Sequence, residues 1–359
     1  MSEWKEYKLG EIISLHRGYD LPSSQRKKGT IPIVSSSGIS DYHDSYKMLP
    51  PGVVTGRYGT IGEVFFLNEP YWPLNTTLYI DDFKGNDPLF IYYFLKSFDF
   101  EKFNDKSTIP GINRNHLYGE VVKIPSLDEQ KRIASILSSL DDKIDLLNRE
   151  NATLEAMAET LFRQWFIEEA KEDWEEKPLS SIATFLNGLA CQKYPPKDEI
   201  EKLPVLKIRE LTNGIGADSD WATTDVGDEY IVHAGDVIFA WSASLMVKIW
   251  DGEDCILNQH LFKVTSDNYP KWFYFFWCKH HLNEFISIAQ SHATTMGHIK
   301  RGDLDTAMVV MPSDDEIRVM TAQMNGLLQK IENNSKQVNT LILSRDGLLP
   351  RLMSNELTI

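Results

Sequence analysis

Cysteine is scarce in this chain: three in 359 residues, Cys191, Cys255 and Cys278, far apart and without C-x-x-C spacing. Neither a disulfide framework nor a zinc site is suggested, and each thiol reads as a small buried hydrophobe. Long apolar runs are missing as well, since no stretch reaches the roughly 18 residues that a membrane-spanning helix needs. The opening MSEWKEYKLG has neither the basic start nor the apolar core of a signal peptide, so the expected location is the cytoplasm. Positive charge is in deficit, with 37 Lys and Arg against 52 Asp and Glu and a net charge of −15. That argues against a protein that coats nucleic acid by bulk attraction, because phosphate contacts need cations near the backbone, but it leaves room for local basic loops. The acidity forms no tail: residues 1–170 hold 19 basic and 25 acidic side chains, and residues 171–359 hold 18 and 27.

What the chain does have is an internal repeat. Ile124-Pro125-Ser126-Leu127-Asp128-Glu129 matches Met311-Pro312-Ser313-Asp314-Asp315-Glu316 at an offset of 187 residues, and the offset carries Lys143-Ile144 onto Lys330-Ile331. Upstream, with small changes of offset, Trp4, Leu9, Ile12 and Gly18 pair with Trp174, Leu179, Ile182 and Gly188. PGVVTGRYG at Pro51 pairs with AGDVIFAWS at Ala234, LNTTLYI at Leu74 with LNQHLFKV at Leu257, and PLFIYYFL at Pro88 with PKWFYFFW at Pro270. Each copy is a globular unit followed by a helix. The globular parts carry short β-like runs between Gly, Pro, Asn and Ser, interrupted by a buried aromatic helix, which predicts an α+β unit that is mainly β.

Both long helices open on S-x-x-E, the pattern of a capping box. Apolar residues then step 4, 3, 4, 3: Ile133, Leu137, Leu140, Ile144, Leu147, then Asn151, Leu154, Ala158 and Leu161. The second copy gives Met324, Leu327, Ile331, Asn334, Val338, Leu341, Arg345 and Leu348. This is a heptad seam. Each helix either packs along its own globular unit or pairs with the other; two matched seams favour pairing, antiparallel, with Asn151 and Asn334 as polar notches that fix register. Two-fold related readers suit DNA, whose half-sites present equivalent faces at a fixed spacing.

In the alternation of variable unit and helix, the duplicated IPSLDEQKRIASIL and MPSDDEI openings, the segment LDDKIDLLNRE and the ending LLPRLMSNEL, the whole chain resembles the specificity subunit of type I restriction-modification systems. Asn355, where the family more often has Gly, and Ile317-Arg318-Val319, in place of the fuller Gln130 to Ile133 pattern, depart from it. The resemblance implies two mainly β target recognition domains, 1–125 and 171–312, and two conserved spacer helices, 126–170 and 313–359, forming an antiparallel coiled coil. It further implies a non-catalytic subunit in which each domain reads one half of a bipartite double-stranded DNA target. Partners would be two modification subunits that use S-adenosylmethionine to methylate adenine, and restriction subunits that use ATP and Mg. The chain itself would carry no cofactor.

The residues agree with an absence of catalysis. There is no G-x-x-x-x-G-K-[ST] loop, no H-E-x-x-H and no Asn-Pro-Pro-aromatic motif of adenine methyltransferases. TGRYGTIG lacks the spacing of a dinucleotide loop and reads as a tight turn between strands, and the histidines show no metal-ligand pattern. Two other readings stay open: a stand-alone DNA-modifying enzyme, which would bind S-adenosylmethionine by itself, and a structural coiled-coil scaffold, which would select no DNA sequence.

Base and phosphate contacts need Arg, Lys, Asn, Gln, Ser and Thr on loops. In the first unit the candidates are Arg17, Tyr19, Ser36, Arg57, Tyr58, Lys106, Thr108, Asn113 and Arg114. In the second they are Gln192, Lys193, Tyr194, Lys207, Arg209, Trp241, Ser242, Thr294, Thr295, His298, Lys300 and Arg301. KSTIPGINR and ATTMGHIKR stand at corresponding places before the last strand of each unit. Asn75 and Asn258, equivalent inside their strands, read equally well as structural amides.

Overall fold

The computed structural model describes residues 4–105, 111–291 and 297–357. The fold is α+β, and by packing the chain forms two units: Met1–Ile144 with Leu341–Ile359, and Asp145–Thr340. Each long helix therefore contributes to both units.

In the first unit an antiparallel sheet runs in the order Ser14–Arg17, Thr77–Asp82, Gly52–Gly56, Val64–Leu67. A second sheet, Gly38–His43, Ile31–Ser35, Trp72–Pro73, has one parallel pairing. A two-stranded ribbon joins Lys5–Lys8 to Val121–Ile124. The second unit repeats the plan. Its first sheet is Thr184–Asn187, Leu261–Thr265, Val237–Ala240, Met246–Ile249, and its second is Trp221–Thr223, Lys202–Leu206, Cys255–Leu257, Ile231–Val232. Its ribbon pairs Glu175–Pro178 with Met308–Met311. Central strands Gly52–Gly56 and Val237–Ala240 are buried at every residue, so they read as continuous runs without alternation.

Two repeated glycines have a common steric cause. A Cβ at Gly18 would lie 2.1 Å from the Leu74 carbonyl oxygen, and one at Gly188 2.3 Å from that of Asn258. Only glycine allows the backbones to pass that closely.

The aromatic helices are Pro88–Lys96 and Lys271–His280; in the latter, Trp272 through Cys278 are all buried. A helix that is apolar all round belongs inside a core, and here each supplies its unit's core together with one end of the long helices. Phe90 and Ile91 cluster with Ile133, Leu137 and Leu352 in the first unit, and Trp272, Phe273 and Trp277 with Ala158, Phe162 and Met324 in the second. All three cysteines are buried and free. Among the described residues no helix is long and apolar enough to cross a membrane.

The long helices span Leu127–Arg163 and Asp314–Met353, 37 and 40 residues, or roughly 55 and 60 Å at 1.5 Å per residue. A π-type turn, Gln164–Glu168, follows the first. Within each unit the two run antiparallel. In the first unit Asp141 bonds Arg345 while the earlier Leu137 shares a cluster with the later Leu352. In the second, Asn151 bonds Ser335 while the later Ala158 and Phe162 meet the earlier Met324. Of the seam positions, Ile133, Leu137, Leu147, Met324 and Val338 are buried, and Leu140, Ile144, Leu154, Leu161, Leu327, Ile331, Leu341 and Leu348 are half-buried. Both asparagine notches are occupied: Asn334 Nδ2 donates to Glu150 Oε2 at 3.0 Å, and Asn151 Nδ2 to Ser335 Oγ at 3.2 Å.

The two helix starts differ. Ser313 and Glu316 make a full reciprocal box: Ser313 N–H and Oγ–H donate to Glu316 Oε2 at 2.9 and 2.7 Å, and Glu316 N–H donates to Ser313 Oγ. In the first copy Glu129 turns instead to Arg132. Buried Gln130 accepts from Asp87 N–H at 2.9 Å and donates to Asn86 Oδ1 and the Pro125 carbonyl, tying the helix start to the aromatic helix.

Candidate nucleic-acid interface

In the first unit one backbone knot gathers most of the predicted contacts. Tyr19 N–H donates to the Pro73 carbonyl and Asn75 N–H to that of Tyr19; Arg57 and Tyr58 N–H both donate to Thr76; Ile112 N–H donates to Arg57. Tyr58 also bridges Gly111, which brings Asn113 alongside. The turn carrying Ser36 lies against the same loop, since a Cβ at Gly59 would be 3.5 Å from Ser36 Oγ. The loop is the tight turn expected of TGRYGTIG, with Gly59 and Gly62 at φ +83. At its tip the Arg57 guanidinium lies 4.3 Å over the Tyr58 ring and donates to its hydroxyl at 3.2 Å. Tyr19 and Tyr58 are 37% and 40% exposed, which leaves aromatic faces and one stacked cation for a ligand.

Behind them stands a layer that sequence reading passed over. Tyr19 and Tyr79 share a hydroxyl hydrogen bond of 2.9 Å, and Lys47 sits 4.9 Å from the Trp72 ring centre and 5.4 Å from that of Tyr19. Burial, then the bond to Tyr19, pushes the Tyr79 phenol well above its ordinary range, so it is a neutral hydrogen-bonding group. No local motif marks these contacts, because they join segments far apart in sequence.

The second unit builds an equivalent knot. Gln259 N–H donates to the Leu189 carbonyl, Trp241 N–H to His260, Ile299 N–H to Trp241, and Ala243 N–H to Gly297. Ser242 bridges His298. Ala243 holds φ +56 where the first unit has Gly59, a left-handed backbone that a non-glycine residue seldom adopts. Trp241 stacks on Phe262 at 5.6 Å, meets His298 edge-on at 6.2 Å and donates from Nε1 to Asn187 Oδ1 at 3.1 Å.

Other predicted residues have structural employment. Arg114 and Arg301, equivalent in the repeat, donate to the carbonyls of Leu15 and Phe185 at 3.1 and 3.3 Å. Asn113 caps Arg114–Tyr118 through Asn115 N–H, and Lys300 precedes the helix Arg301–Thr306. Lys207 pairs with Asp220, whose carboxyl it holds below the ordinary range, and Arg209 with Glu210. Arg17 is exposed at its strand end, and Gln192, Lys193 and Tyr194 are exposed on and just after a short turn. Asn258 is buried and accepts from His260 N–H, while Asn75 donates to Asp20. Lys106, Thr108, Thr294 and Thr295 lie outside the described residues.

Comparison with known proteins follows the same duplication. The family described as "Type I restriction modification DNA specificity domain" matches residues 1–156 and again 171–342. A "Type I restriction enzyme MjaIX specificity subunit" of Methanocaldococcus jannaschii is 24% identical, over 99% of this chain and 94% of its own length. A "Type I restriction enzyme HindI specificity subunit" of Haemophilus influenzae is 20% identical, over 99% of this chain and 100% of its own. Among solved structures, the S subunit of a type I restriction-modification system from M. genitalium superposes with a TM-score of 0.62 at 14% identity, covering 98% of this chain and 96% of that one.

Proposed function

The chain belongs to the type I restriction-modification DNA specificity family, and from that premise we propose how its two domains divide the work of reading DNA. A specificity subunit recognises sequence and performs no catalysis. Each domain here reads one half of a bipartite double-stranded target, and the lengths of the two long helices set the nonspecific gap between the halves. The helices also dock two modification subunits, which hold S-adenosylmethionine and methylate adenine after flipping it from the stack. Restriction subunits using ATP and Mg join that complex, in the cytoplasm.

The observation that carries this reading is the repeated knot. Tyr58 bridging Gly111 and Ser242 bridging His298 occupy the same place in two copies of one fold, yet they present different side chains. Equivalent positions with different chemistry are what two readers of two different half-sites require. The acidic total also fits a subunit whose partners share the grip on phosphates.

Deleting one heptad from each helix, at matched positions, tests the division of labour. Methylated adenines mapped in cells carrying the complex should show an altered gap with both half-site sequences unchanged. A changed half-site with the original gap would sink the proposal.

A further inference from the structure

The turn Asn258-Gln259-His260 joins the strands Cys255–Leu257 and Leu261–Thr265 and sits beside Trp241 in the second domain. Three polar groups there form a chain. Ser242 Oγ lies 3.1 Å from His260 Nδ1, and His260 Nε2 lies 3.3 Å from Gln259 Nε2. Ser242 is buried, Gln259 half-buried and His260 exposed, so the chain runs from the core outward. A neutral imidazole with its proton on Nδ1 satisfies both contacts: it donates to Ser242 and accepts from the Gln259 amide. With the N–H anti to Oε1 given to His260, Gln259 offers a ligand its other N–H and Oε1 side by side. The backbone beneath is fixed by Gln259 N–H donating to the Leu189 carbonyl at 2.9 Å.

We propose that Gln259 reads the adenine of an A·T pair in the second half-site, and that His260, seated on Ser242, is the positioning residue that orients its amide. The free donor and acceptor match adenine N7 and N6 in the major groove, the bidentate pattern to which a glutamine amide is suited. In the first unit Asn75 and Thr76 hold the places of Gln259 and His260, as their backbone bonds show; Asn75 donates to Asp20 and Thr76 carries no imidazole, so an amide braced by a histidine belongs to the second unit alone. The inference rests on the specificity-subunit reading and refines it.

The test is methylation mapping with the full chain and its modification subunits. Gln259→Ala should relax discrimination by about tenfold or more at one A·T position of the second half-site. His260→Ala should relax the same position less, and His260→Asn, which keeps an acceptor, should recover part of it. The first half-site serves as the internal control for folding. An unchanged motif in Gln259→Ala, or a loss spread evenly over every position of the second half-site, overturns the proposal. If the wild-type complex showed no bipartite motif at all, the underlying reading would have failed instead.

Discussion

Where its aromatic helix meets the long helices, the first unit has Tyr93, Asp141 and Arg345; the corresponding positions of the second are Phe275, Leu328 and Ala158. In the first, Asp141 accepts from the Tyr93 hydroxyl at 2.6 Å and from Arg345 Nη1 at 2.7 Å. Tyr93 is buried, and burial together with the neighbouring carboxylate pushes its phenol far above the ordinary range. In the second, the same joint is apolar, with Phe275 and Ala158 in one cluster and Leu328 packed on it. Two chemistries thus hold one fold. The polar joint constrains alignment, since its bonds are directional, while the apolar joint tolerates small shifts.

Breaking the polar joint gives the largest expected effect. Asp141→Ala removes the partner of two partly buried groups and should cost about 3 kcal/mol. Leu328→Ala in the apolar joint should cost about 1–2 kcal/mol, because the site is half-buried. The triple change Tyr93→Phe, Asp141→Leu, Arg345→Ala copies the second joint into the first and should bring stability back to within about 1 kcal/mol of wild type. Urea unfolding of the three variants is the measurement. A triple variant as unstable as Asp141→Ala would show that the joints are not interchangeable.

The comparison also explains what was legible in the sequence. Periodicity exposed the helices because Ile133, Leu137 and Leu140 in the first, and Met324, Leu327 and Ile331 in the second, recur at the spacing of one helix face, and duplication exposed the two-domain plan because PGVVTGRYG and AGDVIFAWS share a pattern of glycine and apolar residues. Arg345 stands at a seam position in sequence, and only the packing shows that it bonds Asp141. The candidate site was half legible. Arg57, Tyr58, Trp241 and Ser242 lie on loops with evident donors, but Tyr79, Lys47, Gln259 and His260 sit on or beside strands whose sequence reads as core. Arg114 and Arg301 illustrate the converse, since an arginine that opens a short helix and bonds a distant carbonyl looks in sequence like one exposed on a loop.

The helix starts sharpen the comparison at a smaller scale. Ser313→Ala should cost about 1 kcal/mol by removing the reciprocal cap. Glu316 also accepts from Trp174 Nε1 and pairs with Lys171, and the Lys171 and Ser313 contacts hold its carboxyl down to about 2. A carboxyl lowered in the folded state contributes stability that is complete above its unfolded value and disappears as pH falls through the folded one. The difference in urea midpoint between wild type and Glu316→Gln should therefore be steady near neutrality and shrink between about pH 4.5 and pH 2. A difference that persisted at pH 2 would mean the carboxylate charge is irrelevant to the cap.

The two asparagine notches differ least, and in sign. Asn334 is 2% exposed and its amide donates to Glu150, which also pairs with Lys330. Asn151 donates to Ser335, but its Oδ1 is buried without a hydrogen-bond partner. An apolar replacement at Asn334 strands a carboxylate bond, whereas one at Asn151 relieves an unmet acceptor. Asn334→Leu should lower stability by about 1 kcal/mol, and Asn151→Leu should leave it unchanged or raise it by about 0.5 kcal/mol. Opposite shifts in urea midpoint would assign register control to the Asn334–Glu150 contact. Equal losses at both would instead make the notches equivalent members of one network.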